Sequence, residues 1–279
     1  TSNQIKALDV ERINDAIAEV IFNQDVAGLP VYLDLNTEEV SAICRILEID
    51  PSGFDEYICD TVLNTPKTSG WKKVFSEFGV AAKKWTDTGK PLEVPPTLAL
   101  LTVLSMAAEV MASETDVSGA NYYKRLSALF GCAGEETELG NRYREHAVQL
   151  WTPLRDWLGS WEGERGVSTV PIPKSSSQSG KDFKWAIQMP ISQARLRDAD
   201  RQDLHRMFDH YRLDSGSNIS IEIMTMFLEN WCTSPYSTKN IKKIWKIDDY
   251  RETFAAAAIS ELRMWTGRPA GEQGFGVRL

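Results

Sequence analysis

The 279-residue sequence predicts a mainly α-helical fold, a multi-helix orthogonal bundle with a short N-terminal strand and a small β-hairpin near 167–189. Three observations predict it. Apolar residues recur at spacings of three and four through most of the chain, as the buried stripe of an amphipathic helix requires. Capping residues, prolines and glycines fall where those stretches begin and end. Apolar–polar alternation, the mark of a half-buried strand, is confined to two short runs. With 42% hydrophobic and 10% aromatic residues, the chain can bury a substantial core.

The opening LDVERINDAIAEVIFNQ sets Leu8, Ile13, Ile17, Val20 and Ile21 at mostly helical spacing, which predicts a helix over 5–23. VYLDL then alternates Val31, Leu33 and Leu35 against Tyr32 and Asp34, and predicts the N-terminal strand. Asn36 followed by Glu39 is the signature of a capping box, with Val40, Ile43, Cys44 and Leu47 as the buried stripe of the helix it starts. After the Asp50-Pro51-Ser52 turn, a second helix carries Phe54, Ile58 and Val62. A pair so closely joined invites comparison with a helix-turn-helix. Its second helix, however, presents Asp55, Glu56 and Asp60, where a DNA-reading helix needs Lys, Arg, Asn or Gln.

WKKVFSEFGVAAKKW gathers Trp71, Val74, Phe75, Phe78, Ala82 and Trp85 on one face, with Lys72, Lys73, Lys83 and Lys84 flanking it. The spacing predicts a core-packed helix with a solvated lysine face, although membrane-surface helices share the pattern. The double proline before TLALLTVLSMAAEVM starts a helix whose apolar residues surround its axis, as suits the central buried helix. NYYKRLSALFG is a short helix ended by Gly131. In NRYREHAVQLWTPLRDWLGSW, Pro153 is expected to kink or split the helix, and His146 lies near the apolar stripe as a structural histidine. ERGVSTVPIPKSSSQSGK reads as extended chain and loop, and FKWAIQM alternates like a strand, which yields the hairpin of 167–172 with 183–189. Four further helices are expected over 200–211, 220–231, 237–247 and 249–265. The domain division that follows is 1–162, a connector at 163–189, a helical subdomain at 190–266, and a linker or tail at 267–279.

The formal charge of −8 is unevenly spread: residues 1–64 hold three basic and thirteen acidic side chains, and the remainder is nearly balanced. An acidic first quarter repels phosphate backbones, so nucleic-acid contact is expected only from the later part. Four scattered cysteines and three histidines suggest neither zinc nor disulfides, so no cofactor is expected and a reducing cytoplasm is the expected compartment. No stretch reads as a signal peptide or a membrane span. The start at Thr1 and the loop-like end are expected of a fragment of a longer polypeptide or of a processed form.

The densest polar stretch is PISQARLRDADRQDLHRMFDHYR. Asp198, Asp200, Asp203 and His205 fall within eight residues, and carboxylates beside an imidazole can hold a divalent ion. Asp182 and Lys184 form a D-x-K triplet of the kind seen in metal-dependent nucleases. Arg195, Arg197 and Arg201, with Arg206 and Arg212, offer phosphate contacts that the neighbouring aspartates nearly cancel. A second basic surface is the stripe Lys239, Lys242, Lys243 and Lys246. The preferred reading of the Arg/Asp segment is a buried salt-bridge network. Phosphate-binding loops, nucleophile elbows, H-E-x-x-H and dinucleotide-binding glycine fingerprints are absent from the sequence.

PVYLDL, NYYKRLSALFG, RYREHAVQLWTPLRDWL, ERGVST, PISQARLRDADRQDLHRMF and ELRMWTG together resemble the N-terminal region of large, mostly uncharacterised bacterial proteins, some of them from phage-defence gene clusters. The resemblance spans most of the chain and carries no catalytic residue with it. It implies a non-enzymatic interaction or scaffold module whose partners are other subunits or further domains of the same chain. The competing expectations are a nucleic-acid-binding module and a metal-dependent nuclease.

Overall fold

The computed structural model describes residues 2–24, 32–33, 35–64, 70–89, 93–109, 119–160, 190, 198–238, 241–242, 245–246 and 251–265. Among these the structure is mostly helical, with ten α-helices and one 3-10 turn. The chain divides into two compact units, Thr1–Arg195 and Leu196–Leu279. The first holds α1 (Ser2–Gln24), α2 (Thr37–Leu47), a 3-10 turn (Pro51–Gly53), α3 (Phe54–Leu63), α4 (Trp71–Asp87), α5 (Leu98–Glu109), α6 (Gly119–Leu129) and α7 (Glu136–Gly159). The second holds α8 (Asp198–Tyr211), α9 (Ile221–Thr233) and α10 (Arg251–Met264).

In the first unit α5 is the central element. It touches α1, α3, α6 and α7, and every described side chain from Leu98 to Ser105 is fully buried. The capping box at α2 forms as its residues dictate: Asn36 Oδ1 accepts from the Glu39 amide at 2.9 Å, and Glu39 Oε2 accepts from the Asn36 amide at 2.6 Å. The longest lateral contact runs between α4 and α7, where Phe75 lies 5.5 Å from Tyr143, ring centre to ring centre. Close approach there needs a glycine: a Cβ on Gly79 would stand 3.0 Å from Gln149 Oε1 and 3.3 Å from His146 Nδ1. His146 thus sits half-buried against α4, a packing position.

Two expectations are corrected. The described residues of the predicted N-terminal strand, Tyr32, Leu33 and Leu35, form no strand, and all three are buried. A strand needs a partner strand for its backbone groups, and none is present among the described residues; the adjacent Tyr32 and Leu33 are both buried instead of alternating. The predicted hairpin at 167–189 lies outside the described residues. The second correction concerns only the split expected at Pro153: α7 runs through it undivided from Glu136 to Gly159. Loss of one backbone hydrogen bond is offset by a buried face of Leu150, Trp151, Leu154, Trp157 and Leu158 on both sides of the proline.

The start of α5 is capped from a distance. Asn14 in α1, 4% exposed, accepts from the Ala99 amide through Oδ1 at 2.8 Å and donates through Nδ2 to the Pro96 carbonyl at 3.2 Å. Thr97, the residue before α5, keeps a buried hydroxyl with no hydrogen-bond partner among the described residues. Asn14 therefore joins α1 to α5 and satisfies an orphan helix amide together. Asn14→Ala is expected to cost about 1–3 kcal/mol, because a buried donor and a buried carbonyl both lose their partner. Urea unfolding followed by circular dichroism reads this as a lower midpoint.

Candidate functional site

The polar residues that drew attention in the sequence meet in the second unit, around two carboxylates. α8 places Leu204, Met207 and Phe208 fully inside. One turn of the same helix also brings Asp203 inside, with its side chain 0% exposed. Its oxygens are fully engaged. Oδ1 accepts from Arg206 Nη2 at 2.8 Å and from Trp231 Nε1 at 3.3 Å. Oδ2 accepts from the Thr238 amide at 2.8 Å and from the Thr238 hydroxyl at 2.7 Å. Thr238 Oγ1 in turn accepts from the Ile241 amide at 3.3 Å. Asp203 thus ties α8 to α9 and to the turn that follows it.

The second carboxylate is Glu261 of α10, with its side chain 9% exposed. Arg201 and His205, four residues apart and so on one face of α8, grip it together. Arg201 Nε donates to Oε2 at 3.1 Å, and His205 Nε2 lies 2.6 Å from Oε1. The His205 ring stacks on Trp265 at 5.9 Å between centres and meets Phe208 at 6.2 Å. Between them, the two carboxylates connect α8, α9 and α10 through charge-assisted hydrogen bonds, which are about twice as strong as neutral ones.

Each predicted site residue can now be placed. Asp200 is buried at 2% exposure, and Arg201 holds Glu261. Asp198 begins α8, with its side chain outside the described set. Asp182, Lys184, Arg195, Arg197, Lys239 and Lys243 lie outside the described residues. Of the lysine stripe, Lys242 donates through its ammonium to the Ser234 carbonyl at 2.8 Å. Lys246 is exposed. Among the described residues no three His, Cys, Asp or Glu side chains stand where they could hold a metal ion. The acidic face of α3 is as expected, with Asp55, Glu56 and Asp60 all exposed.

Sequence reasoning missed Glu261, Thr238, Trp231 and Asn14 as members of polar networks. For Glu261 a signal existed: it lies three residues after Ala258 and seven after Phe254, on the apolar stripe of its helix. A lone carboxylate on a buried stripe implies a cationic partner on a facing helix.

The cysteines are the remaining nucleophiles, and all four are free and buried. Burial pushes the Cys59 and Cys232 thiols up to about 12, with Asp55 and Asp203 respectively adding to the shift. Burial raises Cys132 to about 11, helped by Glu135 and Glu136. These thiols stay protonated in the folded chain, which removes the attacking thiolate. The sign of the linkage follows: a folded value above the unfolded one stabilises the fold fully below pH 9, and that stability drains as pH rises from 9 towards 12. The urea midpoint is expected to fall across that window. At pH 8 a disulfide-forming thiol reagent is expected to label the cysteines only as the chain unfolds, and immediate labelling would contradict the burial.

By fold, then, the class is a helical protein of two compact units whose most conspicuous polar cluster braces the second. No family model, no curated protein and no solved structure matches the chain. No described helix is long and apolar enough to cross a membrane.

Proposed function

We propose that the chain is a non-enzymatic interaction or scaffold module of a larger bacterial protein of the antiphage-defence type, acting in the cytoplasm. One observation carries the reading. The side chains that looked most like chemistry are engaged inside the unit: Asp203 accepts from Arg206 and Thr238, and Arg201 and His205 both hold Glu261. A carboxylate receiving four donors has no lone pair directed at a substrate or an ion. What the described residues offer outward includes apolar side chains, Val80 on α4 at 68% exposure, Met226 on α9 at 63% and Tyr236 in the turn after α9 at 65%.

The test sets this reading against its two competitors. The full chain is titrated with duplex DNA at several salt concentrations, and with Mg2+ and Mn2+ in a calorimeter. The expected result is neither salt-steep DNA affinity nor metal heat. DNA binding lost in a folded Lys246→Ala variant overturns the reading in favour of a nucleic-acid module. Metal heat lost in a folded Asp200→Asn variant overturns it in favour of a metal-dependent nuclease.

A further inference from the structure

Two helices in this chain carry the same outward device with opposite charge. On α4, Val80 is 68% exposed and stands between exposed Lys73 on one side and exposed Lys83 and Lys84 on the other, with half-buried Glu77 between Lys73 and Val80. Lys73 and Lys84 are eleven residues apart, three turns along one stripe, or about 16 Å. On α9, Met226 is 63% exposed between exposed Glu222 and Glu229 on one stripe, with Ile223, 44% exposed, beside it. The two glutamates are seven residues apart, about 10 Å, and flexible lysine side chains bridge the difference in length. Neither Lys73, Lys83, Lys84 nor Glu229 has an ion-pair partner among the described residues.

We propose that the α4 face of one copy of the chain docks on the α9 face of a second copy, with Val80 against Met226 and Ile223 and the lysines against Glu222 and Glu229. The proposal rests on the interaction-module reading and names its partner. Charge selects among the three possible pairings. Two α4 faces would oppose lysines to lysines, and two α9 faces would oppose glutamates to glutamates, so both two-fold arrangements are repelled. Only the mixed pairing brings unlike charges around matched apolar centres. Such a contact is made either twice at once, in a reciprocal two-fold dimer, or once per pair of copies, in rings or open chains.

Sedimentation equilibrium on the full chain tests this at low and high salt. The average mass is expected to rise with protein concentration at low salt and to fall back as salt screens the pairing. Lys73→Glu with Lys84→Glu is expected to weaken association by roughly a hundredfold, and Glu222→Lys with Glu229→Lys by a similar factor. Mixing the two reversed variants is expected to restore it, because each then presents a charge that the other lacks. Circular dichroism checks that the variants fold, and the single change Val80→Asp, on a fully surface-directed side chain, gives a second disruption. A chain that stays monomeric at every concentration and salt overturns the proposal, as does association that survives both reversals. A monomeric chain that still binds a different protein overturns self-association and leaves the module reading standing.

Discussion

Asp203→Ala is expected to unfold the second unit or leave it barely stable. The substitution removes the acceptor for the Trp231 indole N–H, the Thr238 amide and the Thr238 hydroxyl together, in a place with 0% side-chain exposure. Breaking a buried charge network by deleting one member costs about 3–5 kcal/mol. A unit of this size is stabilised by only about 4–12 kcal/mol in total. Arg206 is the control. Its side chain is 57% exposed, so Arg206→Ala should cost less than about 1 kcal/mol although it removes the shortest contact to Oδ1. Asp203→Asn separates shape from chemistry: the amide fills the same space but turns an NH2 towards donors, so most of the loss is expected to persist. Hydrogen exchange read peptide by peptide should show protection lost across 198–265. An Asp203→Ala chain with wild-type protection there would show that the carboxylate is not a clamp.

Trp151→Ala should be the most damaging single change in the first unit. Trp151 is 1% exposed on α7, and its indole N–H donates at 2.9 Å to the hydroxyl of Tyr143, itself fully buried beside Phe75. Truncating so large a buried ring costs about 3–5 kcal/mol, through lost burial and the cavity left behind. Trp151→Phe keeps most of the volume and removes the donor, so it isolates the hydrogen bond at about 1 kcal/mol. The two variants together divide packing from polarity at the α4–α7 contact. Urea unfolding followed by circular dichroism measures both. Equal losses for Ala and Phe would mean that the hydrogen bond, not the ring, holds this interface.

Helices were legible because their cause is local. The stripe at Val40, Ile43, Cys44 and Leu47 and the box at Asn36 and Glu39 sit within one helix and its first turn, so periodicity and capping chemistry suffice to place α2. The same holds for α5, whose apolar residues surround the axis and whose burial is complete over Leu98–Ser105 as that pattern requires. Alternation misled at Tyr32, Leu33 and Leu35, because a period of two describes a strand only where a partner strand exists. The split expected at Pro153 is absent for a related reason: the penalty for proline in a helix is local, whereas the burial that outweighs it comes from helices distant in sequence.

The polar stretch of α8 shows the same divide at the candidate site. Its residues could be recognised as a network in waiting, since acidic and basic side chains alternate so densely that internal pairing is favoured. Which oxygen meets which donor depends on Glu261, Trp231 and Thr238, which enter from 28 to 60 residues away.

The sequence by itself determined the helical class, the capping of α2 and the acidic outer face of α3, because each is written in residues that share a turn or two of chain. Tertiary structure alone decided that Asn14 caps a helix 85 residues away, that Asp203 and Glu261 are clamps, and that Lys242 is spent on Ser234. The physical reason is that a buried polar group must be satisfied by whatever donor folding brings near it, and sequence distance does not reveal which donor that will be.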